Sequence, residues 1–221
     1  MLFVHDVYSV IGEHEFDFQD AFRNEYLPVV ADDDTRVLWY LYASHGSGEA
    51  YNAYTVTAVR NGTAWERLAQ RLRYGDLADW YMRVSAMRYA ASTSLLVATD
   101  WSPLADVDLD AIPVGDVEHP VGLFREDTLE GDGVDAALSN SPALRGNDDD
   151  ILTCRAAFRP AMGADTMVRV LYRVAAPERL APAFGADSGF NDWPGSLTPT
   201  LPDGVRGAGR YIKSTSWSPI G

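Results

Sequence analysis

"TDWSPL" at positions 99–104 and "TSWSPIG" at positions 215–221 are near-copies of one ending, placed twice in a chain of 221 residues. Other pairs fall in the same order. "DDDTRVLWY" from Asp32 is echoed by "DDDILTCRA" from Asp148, an offset of 116. "WERLAQRL" from Trp65 is echoed by "PERLAPAF" from Pro177, an offset of 112. "LADW" ending at Trp80 returns as "FNDW" ending at Trp193, an offset of 113. "LFVHD" at Leu2 pairs more loosely with "LFRED" at Leu123. The near-constant offset is too long for a solenoid repeat. It reads as one module present twice, in residues 1–104 and 121–221, the second copy degenerate.

The first copy shows what the module is. "MLFVHDVYSV" has strand composition. "EFDFQDAFRNEYLPVV" places Phe18, Phe22, Tyr26 and Val29 at helical spacing. "TRVLWYLYAS" and "AYNAYTVTAV" are strands joined by a glycine-bearing turn. "AWERLAQRL" opens a helix for which Thr63 and Glu66 have capping-box spacing. "DLADWYMRVSAMRYAA" continues as helix, and "TSLLVATDW" is the last strand. The order is β-α-β-β-α-β, the ferredoxin-like plan of an α+β protein.

The second copy repeats it: strand "GLFRED", helix "VDAALSNSPALRG", hairpin "ILTCRAAFRP" and "DTMVRVLYRVA", helix "PERLAPAF", strand "RYIKSTSW". A Pro- and Gly-rich stretch at 185–209 replaces helical length. Residues 105–120 are acidic, carry two prolines and read as a linker.

The bulk numbers bound the function. A net charge of −14 argues against nucleic acid and against an anionic membrane surface. One cysteine, Cys154, forbids an intrachain disulfide and sits in an apolar run as an inert thiol. The opening residues resemble neither a signal peptide nor a membrane span, so a cytoplasmic protein is expected.

With this layout the chain resembles the dimeric α+β barrel superfamily. The stretch "GEAYNAYTVTAVRNGTAWERLAQRL" is similar to the NIPSNAP group within it. The resemblance implies two ferredoxin-like modules whose four-stranded sheets pack as a barrel, and pockets between sheet and helices. It implies no single reaction. Members include cofactor-free monooxygenases, haem-degrading enzymes, isomerases, decarboxylases and proteins without a known reaction.

Candidate chemistry concentrates in the first copy. His5 lies within a strand among apolar neighbours, and His45 ends a strand beside a glycine loop, where sites often sit. His14 and His119 read as solvated loop residues. No histidine pair has metal-ligand spacing, so no metal is expected. On strict alternation Trp39 shares a face with Val37 and Leu41, and Tyr40 points the other way. The expected catalytic residues are His45, Tyr40 and His5. The expected pocket residues are Trp39, Asn52, Tyr54, Trp65 and Trp80. Arg125, Arg155, Arg169 and Arg173 lie on strands of the second copy and need either acidic partners, for which Glu126 and Asp127 are nearest, or an anionic ligand or partner chain.

These residues point to an enzyme of the cofactor-independent oxygenase or isomerase type. Its substrate would be a small aromatic or polyketide-like molecule held in the first copy, with no cofactor required. The alternatives are a non-catalytic ligand-binding or assembly protein, and a haem-binding member. The attached second module should close the barrel within one chain. Surplus aromatic surface is expected to make that barrel a homodimer.

Overall fold

A computed structural model describes residues 1–31, 34–47, 49–115, 117–140, 151–163, 166–180 and 203–221. The chain forms two compact units. One comprises Met1–Val97, Val107–Gly122 and Ile212–Gly221, the other Ala98–Asp106 and Leu123–Tyr211.

In the first unit, strands β1 (Leu2–Val10), β2 (Thr35–Ala43), β3 (Asn52–Val59) and β4 (Arg88–Ala98) lie in the order β4-β1-β3-β2. That is the antiparallel ferredoxin-like order. β1 sits centrally, with Asp6 opposite Thr55 of β3 and Thr93 of β4. The first crossover is helical from Glu15 to Val30, but not uniformly. Helix α1 (Glu15–Ala21) widens into a π turn over Phe22–Tyr26 before helix α2 (Leu27–Val30). The second crossover carries α3 (Gly62–Tyr74) and α4 (Ala78–Ser85).

Period-two alternation decides what faces the helices. Val10, Tyr40, Ala53 and Val59 join Phe18, Phe22, Tyr26, Leu68, Trp80 and Trp217 in one core cluster beneath the helices. The aromatic rings in it are in mutual contact. Trp80 stacks on Tyr26 at 4.6 Å and meets Phe22 edge-on at 5.0 Å. Its indole Nε1 donates to the carbonyl of Ala21 at 3.1 Å, so this large core side chain is also tied at its polar atom.

Three local expectations are corrected. α3 is capped by Asn61, whose Oδ1 accepts the Ala64 N–H at 3.0 Å, and not by Thr63. Asn61 is extended while Thr63 already lies inside the helix, so only Asn61 can reach back to an orphan donor. α4 stops at Ser85, and "RYAA" is strand: the ladder to β1 begins at Val10↔Arg88, and pairing overrides the helical pattern. On β2, a bulge between Val37 and Trp39 inserts one residue, Leu38. Val37 and Tyr40 therefore both face the helices, where strict alternation puts them on opposite sides.

In the second unit, β5 (Leu123–Glu130), β6 (Leu152–Pro160), β7 (Met167–Val174) and the Arg206–Tyr211 part of β8 (Arg206–Ser214) follow the order β8-β5-β7-β6, the same plan. β6 carries a bulge between Cys154 and Ala156, the counterpart of that in β2. Helix α5 spans Val134–Ser139. Asn140 ends it, and residues 141–146 of its expected length lie outside the described residues. So do residues 181–184 of the expected helix at 177–184, of which Pro177–Arg179 is a 3-10 turn. Positions 185–202 of the Pro- and Gly-rich stretch are also outside them. The core here is Leu129, Val134, Leu138, Leu152, Cys154, Ala157, Val168, Val170, Tyr172 and Val174. Cys154 is buried, and burial pushes its thiol up to about 12, as expected of an inert residue.

The expected linker is divided. Residues 105–106 belong to the second unit and Val107–Gly122 to the first. There it is tied down by Arg60 to Asp110 at 3.2 Å and Arg23 to Glu118 at 2.9 Å. His119 is not a solvated loop residue. Its ring nitrogens lie 3.0 Å from the Pro120 carbonyl and 2.7 Å from that of Ser218.

Candidate active site

A cavity of about 330 Å³ opens in the first unit between the sheet and the second helical crossover. That volume lies at the lower end of the range typical for small-molecule sites. Its sheet side is Val4, Asp6 and Tyr8 of β1, Thr57 of β3, and Ala91 and Thr93 of β4. The π turn contributes Phe22 and Tyr26. The widened turn brings these two residues, four apart, onto one line. Trp65, Leu68, Ala69, Leu72 and Arg73 come from α3, and Trp80, Tyr81 and Val84 from α4. Arg88 completes the wall. Trp65, Ala69, Arg73, Ala91 and Thr93 are exposed, so the mouth lies between α3 and β4.

Asp6 is the carboxylate of this cavity. Thr93 Oγ1 donates to its Oδ1 at 2.5 Å and Thr55 Oγ1 to its Oδ2 at 3.4 Å, and the Tyr8 hydroxyl also bonds to it. Burial nevertheless outweighs these donors and raises its pKa above the ordinary carboxylate value. The phenols beside it move the same way. Burial, and then the Asp6 charge, push both Tyr8 and Tyr26 well above the usual phenol range. Asp6 can thus accept a proton from a molecule in the cavity, while the tyrosines stay protonated as hydrogen-bond donors.

Of the expected site residues, Trp65 and Trp80 line this cavity. Tyr40 lies under the helices but against Phe22 and Trp217, its phenol driven far up by burial. His5 is buried and follows the other parity of β1, opposite Val56 and between Val4 and Asp6, which line the cavity. Trp39 and Tyr54 are buried, and Trp39 pairs across from Val56, on that same face. Asn52 is buried at the start of β3, its Nδ2 donating to Glu49 at 3.4 Å. His45 is exposed in the loop after β2. The structure therefore does not bring His5, Tyr40 and His45 together. Asp6, Tyr8 and Arg88 were missed by the sequence reading. The available signal was an acidic residue at the centre of a strand with Val4 and Tyr8 two positions either side.

A haem fits this cavity poorly. No histidine, cysteine or methionine is among its lining residues, and phenolate ligation is opposed by the raised pKa values of Tyr8 and Tyr26. Among the described residues, no group of three or more His, Cys, Asp or Glu could hold a metal ion. Among them, too, no helix is long and apolar enough to cross a membrane.

Of the strand arginines expected to need acidic partners, Arg125 and Arg169 meet acidic side chains, while Arg155 lies near the like charge of Arg173. Arg125 Nε donates to Asp127 Oδ1 at 2.9 Å, and Arg169 and Arg210 lie 4.0 and 3.0 Å from the Glu126 carboxylate. Glu126 and Asp127 are the expected partners. Arg210 is an addition.

No protein-family model matches the chain, and no curated protein does. Solved structures match at low identity. A presumed monooxygenase from Lactobacillus acidophilus is 9% identical over 97% of this chain and 92% of its own, with a TM-score of 0.57. An anthrone oxidase-like protein is 10% identical over 97% and 91%, with a TM-score of 0.52. A NIPSNAP domain protein from Burkholderia xenovorans is 15% identical over 47% of this chain and 99% of its own, with a TM-score of 0.40. The full-length likenesses show the fold: an α+β protein of two ferredoxin-like modules.

Proposed function

We propose that the chain is a small-molecule enzyme of the cofactor-independent oxygenase or isomerase type, acting on a flat aromatic or polyketide-like molecule in the first-unit cavity. The observation that carries this reading is Asp6, a carboxylate of raised pKa set in an aromatic-walled cavity open to solvent at one side. Proteins sharing the fold and named monooxygenase or anthrone oxidase-like support the class of chemistry, not the residues.

The common step is proton abstraction. Asp6 removes a proton from a carbon acid next to a carbonyl, leaving a delocalised carbanion. In an isomerase, Asp6 returns the proton to a different carbon. In an oxygenase, the carbanion adds molecular oxygen, the oxidant, and protonation gives a hydroperoxide. Loss of the second proton from the same carbon, with cleavage of the O–O bond, leaves a ketone and water. Trp80 and Phe22 supply a dry wall, and the Tyr8 hydroxyl holds Asp6 in place.

The test is oxygen uptake and absorbance change with anthrone as probe. Wild type should turn it over, and Asp6→Asn should lose about 10²–10⁴-fold, the range for a general base. Asp6→Asn at the wild-type rate would remove Asp6 from the mechanism. Binding of anthrone with neither oxidation nor isomerisation would make the chain a binder.

A further inference from the structure

We infer that the ligand of this cavity is an anion: an apolar ring system with one acidic group, held by Arg88. The inference rests on the reading of the cavity as a ligand site.

Arg88 lies in the cavity wall with its guanidinium 5.2 Å from the Tyr8 ring centroid and 5.4 Å from that of Tyr81. Two aromatic rings fix the plane of the cation but do not neutralise it. Of the five N–H donors of a guanidinium, one is used, by Nη2 to Ser85 Oγ at 2.9 Å. No carboxylate pairs with Arg88 among the described residues. Arg23, Arg60, Arg71, Arg83, Arg125, Arg169 and Arg210 all meet a carboxylate. Arg73, at the mouth of the same cavity, also has none among the described residues. Two arginines without acidic partners thus line one cavity, and a half-buried, pre-oriented guanidinium is the group that best recognises a carboxylate or phenolate.

The geometry orients the ligand. Asp6 and Arg88 are separated by the four β1 steps from Asp6 to Val10, which pairs with Arg88, or about 13 Å of strand. Asp6 is therefore at one end and the cation toward the other, with Tyr8 between, its hydroxyl on Asp6 and its ring beside Arg88. A ring system would lie along the strand, its acidic group at Arg88 and its reacting carbon at Asp6. The Arg88 charge also keeps the Asp6 end free of the ligand's anionic group.

Two fluorescent probes of one skeleton test this: anilinonaphthalene sulfonate, an anion, and N-phenylnaphthylamine, which is neutral. Arg88→Gln should weaken the sulfonate about tenfold and change the neutral probe less than twofold. Arg73→Gln should give a smaller effect of the same sign, and added salt should weaken only the sulfonate. Ala69→Trp, which fills the mouth, should block both probes. If Arg88→Gln weakens both probes equally, or neither, the anion inference falls while the cavity reading stands. If neither probe binds, or both bind Ala69→Trp as they bind wild type, the cavity reading falls and takes this inference with it.

Discussion

The Ser218 hydroxyl accepts the backbone N–H of Tyr40 at 3.1 Å, and Thr215, three residues earlier, donates its own N–H to the Tyr40 carbonyl at 3.3 Å. Ser102 and Thr99 do the same to Ala157, at 3.0 and 3.0 Å. Each repeated ending is thus a clasp on the backbone of one strand residue just past a bulge. Each clasp is closed within one unit, by a tail that follows the other copy of the module in sequence. The shared Thr-x-x-Ser spacing is what the clasp requires. Ser218→Ala leaves the Tyr40 N–H buried without an acceptor, a loss of about 1–3 kcal/mol. Urea denaturation should show it, with faster amide exchange at Tyr40. Ser102→Ala should act likewise at Ala157.

Gly209 lies where a side chain cannot. A Cβ there would collide with Asp127 Oδ1 and come within 3.1 Å of the Arg125 guanidinium. Asp127 is buried and fixed by its bond to Arg125, so the carboxylate has little room to yield. Gly209→Ala should destabilise the protein by about 1–3 kcal/mol, as overpacking does. A thermal midpoint equal to wild type would mean that the ion pair swings aside.

Asp127 also predicts a pH dependence. Burial raises it to about 6 against the attraction of Arg125. The unfolded chain has it near the ordinary 3.8. Between these values the folded state holds the extra proton, so stability must fall as pH rises from about 4 to about 6. Comparison with Asp127→Asn isolates this from the other carboxylates. The stability of wild type relative to the variant should decline across that window and level off above it. A difference independent of pH would rule it out.

The ferredoxin-like order was legible because strand and helix periods alternate clearly in the first copy, and because the endings recur. The pairing of Glu126 and Asp127 with strand arginines was legible because a buried arginine requires a carboxylate. The site was less so. Period two separates His5 from Asp6, but nothing in "LFVHDVYSV" says which face the helices will cover. Attention to the histidine therefore pointed to the wrong side of β1 for this cavity. Leu38 hid the second error. A bulge leaves no mark in an apolar run, and it reverses the facing of every residue before it relative to those after. Arg88 was hidden by its position at the seam of a helix and a strand, where "AMRYAA" reads as helix.

Asp6 should set activity and stability against each other. Its carboxyl is raised by burial, despite Thr93, Tyr8 and Thr55. As for any acid raised on folding, ionisation is more costly in the folded chain than in the unfolded one. Stability from this group therefore falls as pH climbs from the ordinary carboxylate value through the raised one. Asparagine keeps the shape and an acceptor oxygen for Thr93, and removes the charge. Asp6→Asn should accordingly be at least as stable as wild type at neutral pH, with the advantage vanishing in acid below the unfolded value. Catalysis runs the other way, because only the ionised carboxylate takes a proton. The kcat/KM of wild type should rise with pH through the raised Asp6 value, while Asp6→Asn stays flat and low. Denaturation curves and rate profiles over the same buffers check both signs. An Asp6→Asn variant less stable than wild type at neutral pH would make this carboxylate a structural anchor and not a base.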